Sequence, residues 1–352
     1  MLCLTLVALL SGLAVCVPAD AAPPESPNTA TVWIGTRGGG QGIYRASLNL
    51  ETGKLSEAEL AFEMEGAGFL SIDRGGSRLY SIGSIGEQEG NVASFRINRD
   101  RSLTLISTAT SGPGRATHLA LSPDERTLLL AHYGGGFVAS LPISDTGELS
   151  APASHIDHVG SSVNTARQSK PHPHWIGATP DGQYVVVPDL GTDEVVVYRL
   201  DGTKHTLDRF GAAKVPPGSG PRHLKFHPNG NWAYVVNELS LTVTAFRYED
   251  GVLEPLQTIS ALPMSDTKDV LTTASEIRVH PSGQYLYAGI RGHDVIAVFR
   301  VDQQNGKLTF VEREPIRGSW PRNFGIDPTG RWLLAAGADS SSISVFRIAP
   351  DT

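Results

Sequence analysis

The chain has 352 residues, of which 40% are hydrophobic and only 18% charged, with 38 Gly, 23 Pro and a formal net charge of -7. That length can bury a large core, and so many turn formers leave little room for long polar helices. The acidic balance, without any Lys/Arg-rich run, excludes a nucleic-acid partner, whose phosphates demand a basic surface.

The opening segment, MLCLTLVALLSGLAVCVPADAAPPESP, is almost wholly apolar from Leu2 to Val17 and then turns to Ala-Asp-Ala-Ala. This pattern reads as a signal peptide over residues 1–22, cleaved near Ala21 or Ala22, with 23–30 as a linker. The run is shorter than the roughly 18 residues of a membrane span, so no transmembrane segment is expected in the mature protein. Val15 stands where a lipid anchor at Cys16 would need a small residue, which argues against one. The expected location is therefore periplasmic or extracellular. No Lys or Arg precedes the apolar run; a misassigned leader would make the protein cytoplasmic. Cys3 and Cys16 are the only cysteines, and both lie in the leader. The mature chain would then have no disulfide, thiol nucleophile or cysteine metal site.

From Thr31 the sequence becomes repetitive. TVWIGT and GIYRASLN read as two strands. Strand–turn–strand units follow: FLSIDRGGSRLYSIGS at Phe69, HLALSPDERTLLLAHY at His118, HWIGATPDGQYVVVPDL at His174 and PRHLKFHPNGNWAYVVNE at Pro221. Two more are EIRVHPSGQYLYAGIR at Glu276 and NFGIDPTGRWLLAAGA at Asn323. The turn prolines are Pro123, Pro180, Pro228, Pro281 and Pro328, with Arg74 in place of the first. They recur about every 50 residues, the signature of a propeller or similar array. Third strands such as VASFRIN, VVVYRLD, TVTAFRYE and IAVFRVD follow each unit, then a weaker fourth. The pattern predicts an all-β, seven-bladed β-propeller of mostly four-stranded antiparallel blades, a single domain over 31–352. The first blade lacks a first strand, and FRIAPDT follows the third strand of the seventh blade directly. Closure is therefore expected to be incomplete at the C-terminus.

In a blade the start of the first strand and the end of the second meet on one face. Six residues before the turn prolines stand His174, Arg222, Ser275 and Arg322; five before stand His118, Trp175, His223, Glu276 and Asn323. Nine or ten after stand His132, Asp189, Asn237, Glu238 and Arg291. All should converge on one mouth of the central channel. Hydrolytic chemistry needs a base for water and a cation or donor for a developing oxyanion. His174 or Glu238 could be that base, and Arg222 and Arg291 could hold negative charge. At any single position a His or Arg can simply satisfy a loop carbonyl; the four together point to function. His172, His223, Glu276 and Arg322 are candidate substrate contacts, although His172 also suits a turn and Glu276 could merely pair with Arg222 or Arg322. His118, His132 and Asp189 read as structural, and Trp175, Trp232 and Trp332 as blade packing.

Other motifs carry little chemistry. RGGGQG at Arg37 is followed by no helix, so it reads as a hairpin tip and not a phosphate loop. The two histidines of His172–His174 share one short loop without a third ligand, so no metal is expected. No serine lies in a nucleophile elbow, and no organic cofactor is implied.

The stretches KPHPHW, PDLGTDEVVVYRLD, GPRHLKFHPNGNWAYVVNELSLTVTAFRY, SEIRVHPSGQYLYAGIRGHD and PRNFGIDPTGRWLL together resemble the lactonase seven-bladed propeller family. It includes the propeller type of 6-phosphogluconolactonase and the carboxy-muconate cyclases. The resemblance runs from about residue 31 to 349 and is weakest in blades two and three. It implies a catalytic set at His174, Arg222, Glu238 and Arg291, acting without a cofactor on a small lactone or organic acid, most simply an anionic one. The leader conflicts with a cytosolic sugar-phosphate enzyme, so an exported copy would open another sugar or aromatic-derived lactone. A muconate-type cyclase and a non-catalytic ligand-binding propeller are the alternatives. Oligomeric state is left open.

Overall fold

The computed structural model describes residues 28–262 and 271–349, and the main chain of 2–6. The expected cleavage site at Ala21 or Ala22, Cys16 and most of the 23–30 linker lie outside the described residues. Seven antiparallel sheets are present, six of four strands and one of three, each strand beside its sequence neighbour. No helix occurs among the described residues, and so none long and apolar enough to cross a membrane. The second blade covers 70–109, the third 118–157, the fourth 177–214, the fifth 221–260, the sixth 273–315 and the seventh 321–347. The seven-bladed propeller expected from the repeats is therefore present.

Burial within a blade falls from the axis outwards. The strands Thr127–His132, Tyr184–Asp189 and Trp232–Asn237 are buried along their whole length. The outer strand Leu308–Pro315 is mostly exposed. Second strands are covered on both faces by adjacent blades, which is why they read as unbroken apolar runs such as TLLLA and YVVV. Alternation of apolar and polar residues is confined chiefly to the outer strands. The core thus lies between blades. One cluster joins Tyr234, Val236 and Val243 to Ile277, Ala288 and Phe299 of the next blade.

The turns latch neighbouring blades. His227 follows the first strand of the fifth blade, and its Nε2 donates to the Gly283 carbonyl at 2.9 Å. His280 repeats this one blade on, reaching the Gly330 carbonyl at 2.9 Å. Each receiving turn needs glycine: Gly283 has φ of 74° and Gly330 of 72°. A Cβ on Gly283 would lie 2.5 Å from His227 Nε2.

The ring closes between the seventh and first blades. Val32, Ile34, Ala46 and Leu48 pack against Trp332, Leu334 and Ala336, and Trp332 Nε1 donates to the Leu50 carbonyl at 2.8 Å. The innermost position of the first blade, expected to be empty, is taken by the strand Leu2–Leu6. It pairs antiparallel with Thr29–Thr36, Leu2 opposite Thr36 and Leu6 opposite Val32, and touches the inner strand Pro321–Ile326. Among the described residues the seventh blade has three strands, with Ser342–Arg347 at its outer edge.

Gly283→Ala should lower the melting temperature by several degrees, because the left-handed conformation alone costs a non-glycine residue about 1–2 kcal/mol. Gly211→Ala, where a Cβ meets nothing within 4 Å, should shift it much less. Equal shifts in differential scanning calorimetry would overturn the latch.

Candidate active site

A repeated irregularity places the polar groups. In the fifth blade Pro221 pairs with Asn237 but His223 with Val236, so Arg222 is an extra residue in the ladder. The seventh blade repeats this at Arg322, between Pro321 and Asn323. In the sixth, the ladder shifts between Ala274 and Ile277, freeing Ser275 and Glu276. Such bulges re-aim side chains at strand ends. Here they occur where the inner strands reach one mouth of the channel. The ends of the second strands arrive at the same level, bringing Glu238 and Arg291.

Glu238 is the centre of the site. Its Oε2 accepts from Arg222 Nε at 2.9 Å and faces Arg291 Nη2 at 3.1 Å. Its Oε1 accepts from Arg167 Nη2 at 2.7 Å. Arg222 also donates to the Ser275 carbonyl at 2.5 Å, and Arg291 to the Ala274 carbonyl at 2.7 Å. Burial opposes ionisation of Glu238, but Arg291, Arg222 and Arg167 outweigh it and hold its carboxyl at about 2. Burial, then Arg291, lowers the Arg222 guanidinium to about 9, so it stays charged at neutral pH.

His174 lies across from this cluster. Its backbone N–H donates to the Pro188 carbonyl at 3.0 Å, and its buried Nδ1 has no hydrogen-bond partner. Burial, then the charges of Arg222, His223 and Arg322, push its proton affinity well below that of an ordinary imidazole. It is therefore neutral at physiological pH. A cavity of about 310 Å³ joins the two sides, lined by His174, Glu238, Arg167, Arg291, Arg322 and Tyr133 among others. Arg37 and Trp320 also border it, and the Arg291 guanidinium stands 5.4 Å from the Trp320 ring centre. Arg222 and His223 line a smaller, deeper recess shared with His174 and Arg322. Arg322 lines both the cavity and this recess.

The structure thus brings His174, Arg222, Glu238, Arg291, His223 and Arg322 to one mouth. Two expectations change. His172 supports the site from behind: its ring stacks on Tyr133 at 4.3 Å and Nδ1 bonds the Tyr133 carbonyl at 2.8 Å. Glu276 pairs with neither Arg222 nor Arg322. It sits deeper, 3.2 Å from His223 Nδ1 and 3.5 Å from Arg278. Burial, only partly offset by Glu276, lowers His223 to about 3. Asp189 is structural, as expected: it accepts from the His172 N–H at 2.7 Å and bonds His158 at 2.7 Å. His132 likewise packs on Phe137 at 4.0 Å and bonds Ser111 at 3.0 Å. His118 is sandwiched between Phe69 and Trp175, 4.0 and 5.3 Å away. Among the described residues no group of three His, Cys, Asp or Glu is spaced for a metal ion.

The cavity residues not assigned to the site from sequence include Arg37, Thr117, Tyr133 and Arg167. Arg37 and Tyr133 follow directly on second strands, as Glu238 does, and Thr117 stands six before its turn proline, as Arg222 does. Extending the repeat register to the weaker blades would have found these three. Arg167 has no such register, because it lies on the irregular connection between the third and fourth blades.

A seven-bladed propeller carrying one imidazole and a guanidinium cluster around a single carboxylate, at one channel mouth, defines a small-molecule site suited to anionic or oxyanionic ligands. The chain belongs to the family described as "Lactonase, 7-bladed beta-propeller", whose model matches residues 31–352. It is 36% identical over 315 residues to the 6-phosphogluconolactonase of Bacillus subtilis, covering 88% of each chain. A solved putative 6-phosphogluconolactonase from Bacteroides fragilis is 33% identical, with a TM-score of 0.85 over 94% of each chain. The periplasmic gluconolactonase of Pseudomonas aeruginosa is 31% identical, with a TM-score of 0.86 over 92% of this chain and 93% of that one.

Removing Glu238 leaves buried guanidinium groups without their counter-charge, and breaking a buried pair in this way costs about 3–5 kcal/mol. Glu238→Gln should be destabilised by that order in urea titration at pH 7. Because the folded carboxyl lies at about 2 against an ordinary 4.5, its stabilisation is full above pH 4.5 and is lost as pH falls towards 2. The variant should therefore show a shallower acid slope over that window, and an unchanged slope would count against the cluster.

Proposed function

We propose that the protein is a lactone hydrolase that opens a sugar-derived lactone of the 6-phosphogluconolactone or gluconolactone kind. The observation that carries this is the shared cavity, with neutral His174 on one side and the guanidinium cluster on the other. The names of the relatives support the reaction class.

His174 is the better base of the two candidates. Glu238 is ionised, but its oxygens already accept from three guanidinium groups, which makes it a poor proton acceptor. His174 takes a proton from water as the oxygen attacks the lactone carbonyl carbon. The resulting oxyanion forms where Arg222, Arg291 and Arg322 can meet it with preorganised charge. The ring C–O bond then breaks, and the proton on His174 passes to the leaving alkoxide, which yields the hydroxy acid. Glu238 holds Arg222 and Arg291 in place for this step.

His174→Ala should lower kcat/KM by about 10²–10⁴-fold, the usual span of a positioned general base. The assay uses a panel of sugar lactones below pH 7, where spontaneous opening is slow. The imidazole stays neutral below its ordinary 6.5, so kcat/KM of the wild type should show no acid limb near that pH. Acceleration of none of the lactones would overturn the reading. Loss of a muconate chromophore would then favour a cyclase, and no turnover of either kind a binding propeller.

The protein is further proposed to be exported through the segment 1–22. Leu2–Leu6 cannot be both cleaved leader and inner strand of the first blade. Intact mass of the protein recovered from periplasm or medium should show a start near residue 22 or 23. Retention of Met1 would reject export by cleavage and leave Leu2–Leu6 in the ring.

A further inference from the structure

The three guanidinium groups on Glu238 are not equivalent. Arg222 and Arg291 have side chains only 2% and 6% exposed, and each also holds a main-chain carbonyl. They are built into strands. Arg167 has a side chain 37% exposed, and its second bond is a 3.3 Å contact to the Tyr133 hydroxyl. It comes from a connecting loop, yet the loop itself is firmly held. Ser162 Oγ donates to Asp193 Oδ2 at 2.5 Å, and Gln168, fully buried, donates to the Leu190 carbonyl at 2.9 Å. A rigid loop therefore presents one solvent-facing guanidinium at the cavity rim. Among the described residues its one ion pair is with Glu238 Oε1.

We propose that Arg167 is the specificity-determining residue of this site: it exchanges Glu238 for an anionic group, such as a phosphomonoester, on the part of the lactone remote from the reacting carbonyl. This rests on the lactone-hydrolase reading. Arg167 can grip such a group with paired bonds while its loop stays still, because only the side chain must turn. Glu238 keeps Arg222 and Arg291 as partners, so its charge remains compensated when Arg167 leaves. The exchange also uncovers Oε1 towards the cavity, where it can accept from a substrate hydroxyl. A neutral lactone offers Arg167 nothing in return and leaves it on Glu238. The cavity thereby distinguishes phosphorylated from plain sugar lactones by a residue outside the set common to the repeats.

The test compares kcat/KM for 6-phosphoglucono-δ-lactone and glucono-δ-lactone in wild type, Arg167→Gln and Arg167→Lys. The wild type should favour the phosphorylated lactone. Arg167→Gln should cut that preference by at least about tenfold, the loss expected for one charge-assisted hydrogen bond. Arg167→Lys, a point charge without the fork, should recover part of it. A preference within twofold of wild type in the Gln variant would overturn the proposal, as would a Lys variant no better than Gln. Calorimetric titration with 6-phosphogluconate and gluconate separates the two readings. If the wild type opens neither lactone, the hydrolase reading fails on its own. Tighter binding of 6-phosphogluconate, lost in Arg167→Gln, would still support Arg167, and equal binding of the two acids would sink it.

Discussion

The site depends on one buried carboxylate held among cations. Glu238 is 5% exposed and touches guanidinium groups from its own blade, the next blade and the loop between the third and fourth blades. Without it, Arg222 and Arg291 would be like charges in a low-dielectric channel, each raising the cost of the other. With it, they are fixed in a pose that leaves positive potential facing the cavity. The same contact that stabilises the channel mouth therefore prepares it for an oxyanion. The carboxylate gives up basicity to do this, and in the mechanism proposed above proton transfer falls to the imidazole opposite.

The propeller supplies the geometry by repetition. In three blades a bulge at the mouth end of the inner strand turns a polar side chain into the channel. A single bulge would aim one residue; three around a ring aim several at one point. Behind the mouth His223, which lines the deeper recess, pairs with Glu276, and His118 packs among aromatic rings. The His-Pro turns do comparable work at the other end of the strands, tying the fifth blade to the sixth and the sixth to the seventh through one ring nitrogen each.

Ring closure is the least regular part of the molecule. Apolar packing of the seventh blade on the first, with Trp332 bonded to the Leu50 carbonyl, carries the outer part of the joint. The inner part is the pairing of Leu2–Leu6, residues whose composition equally suits a leader. A short apolar strand and the apolar run of a signal peptide draw on the same residue types, so pattern alone does not separate them.

The sequence by itself determined the architecture. The recurring turn prolines, the runs such as FHPNGNWAYVVN and the phase of polar residues against them sufficed for seven blades and for the convergence of His174, Arg222, Glu238, Arg291 and Arg322. Those features are local and periodic, so a repeat register carries them. Tertiary structure alone decided who pairs with whom. It joined Glu276 to His223 and Arg278, set His172 behind Tyr133, and brought Arg167 to Glu238 across 71 residues of chain. Register specifies the height of a side chain in the ring. Its partner depends on bulges, on the depth of each strand and on the path of irregular loops, and none of these repeats.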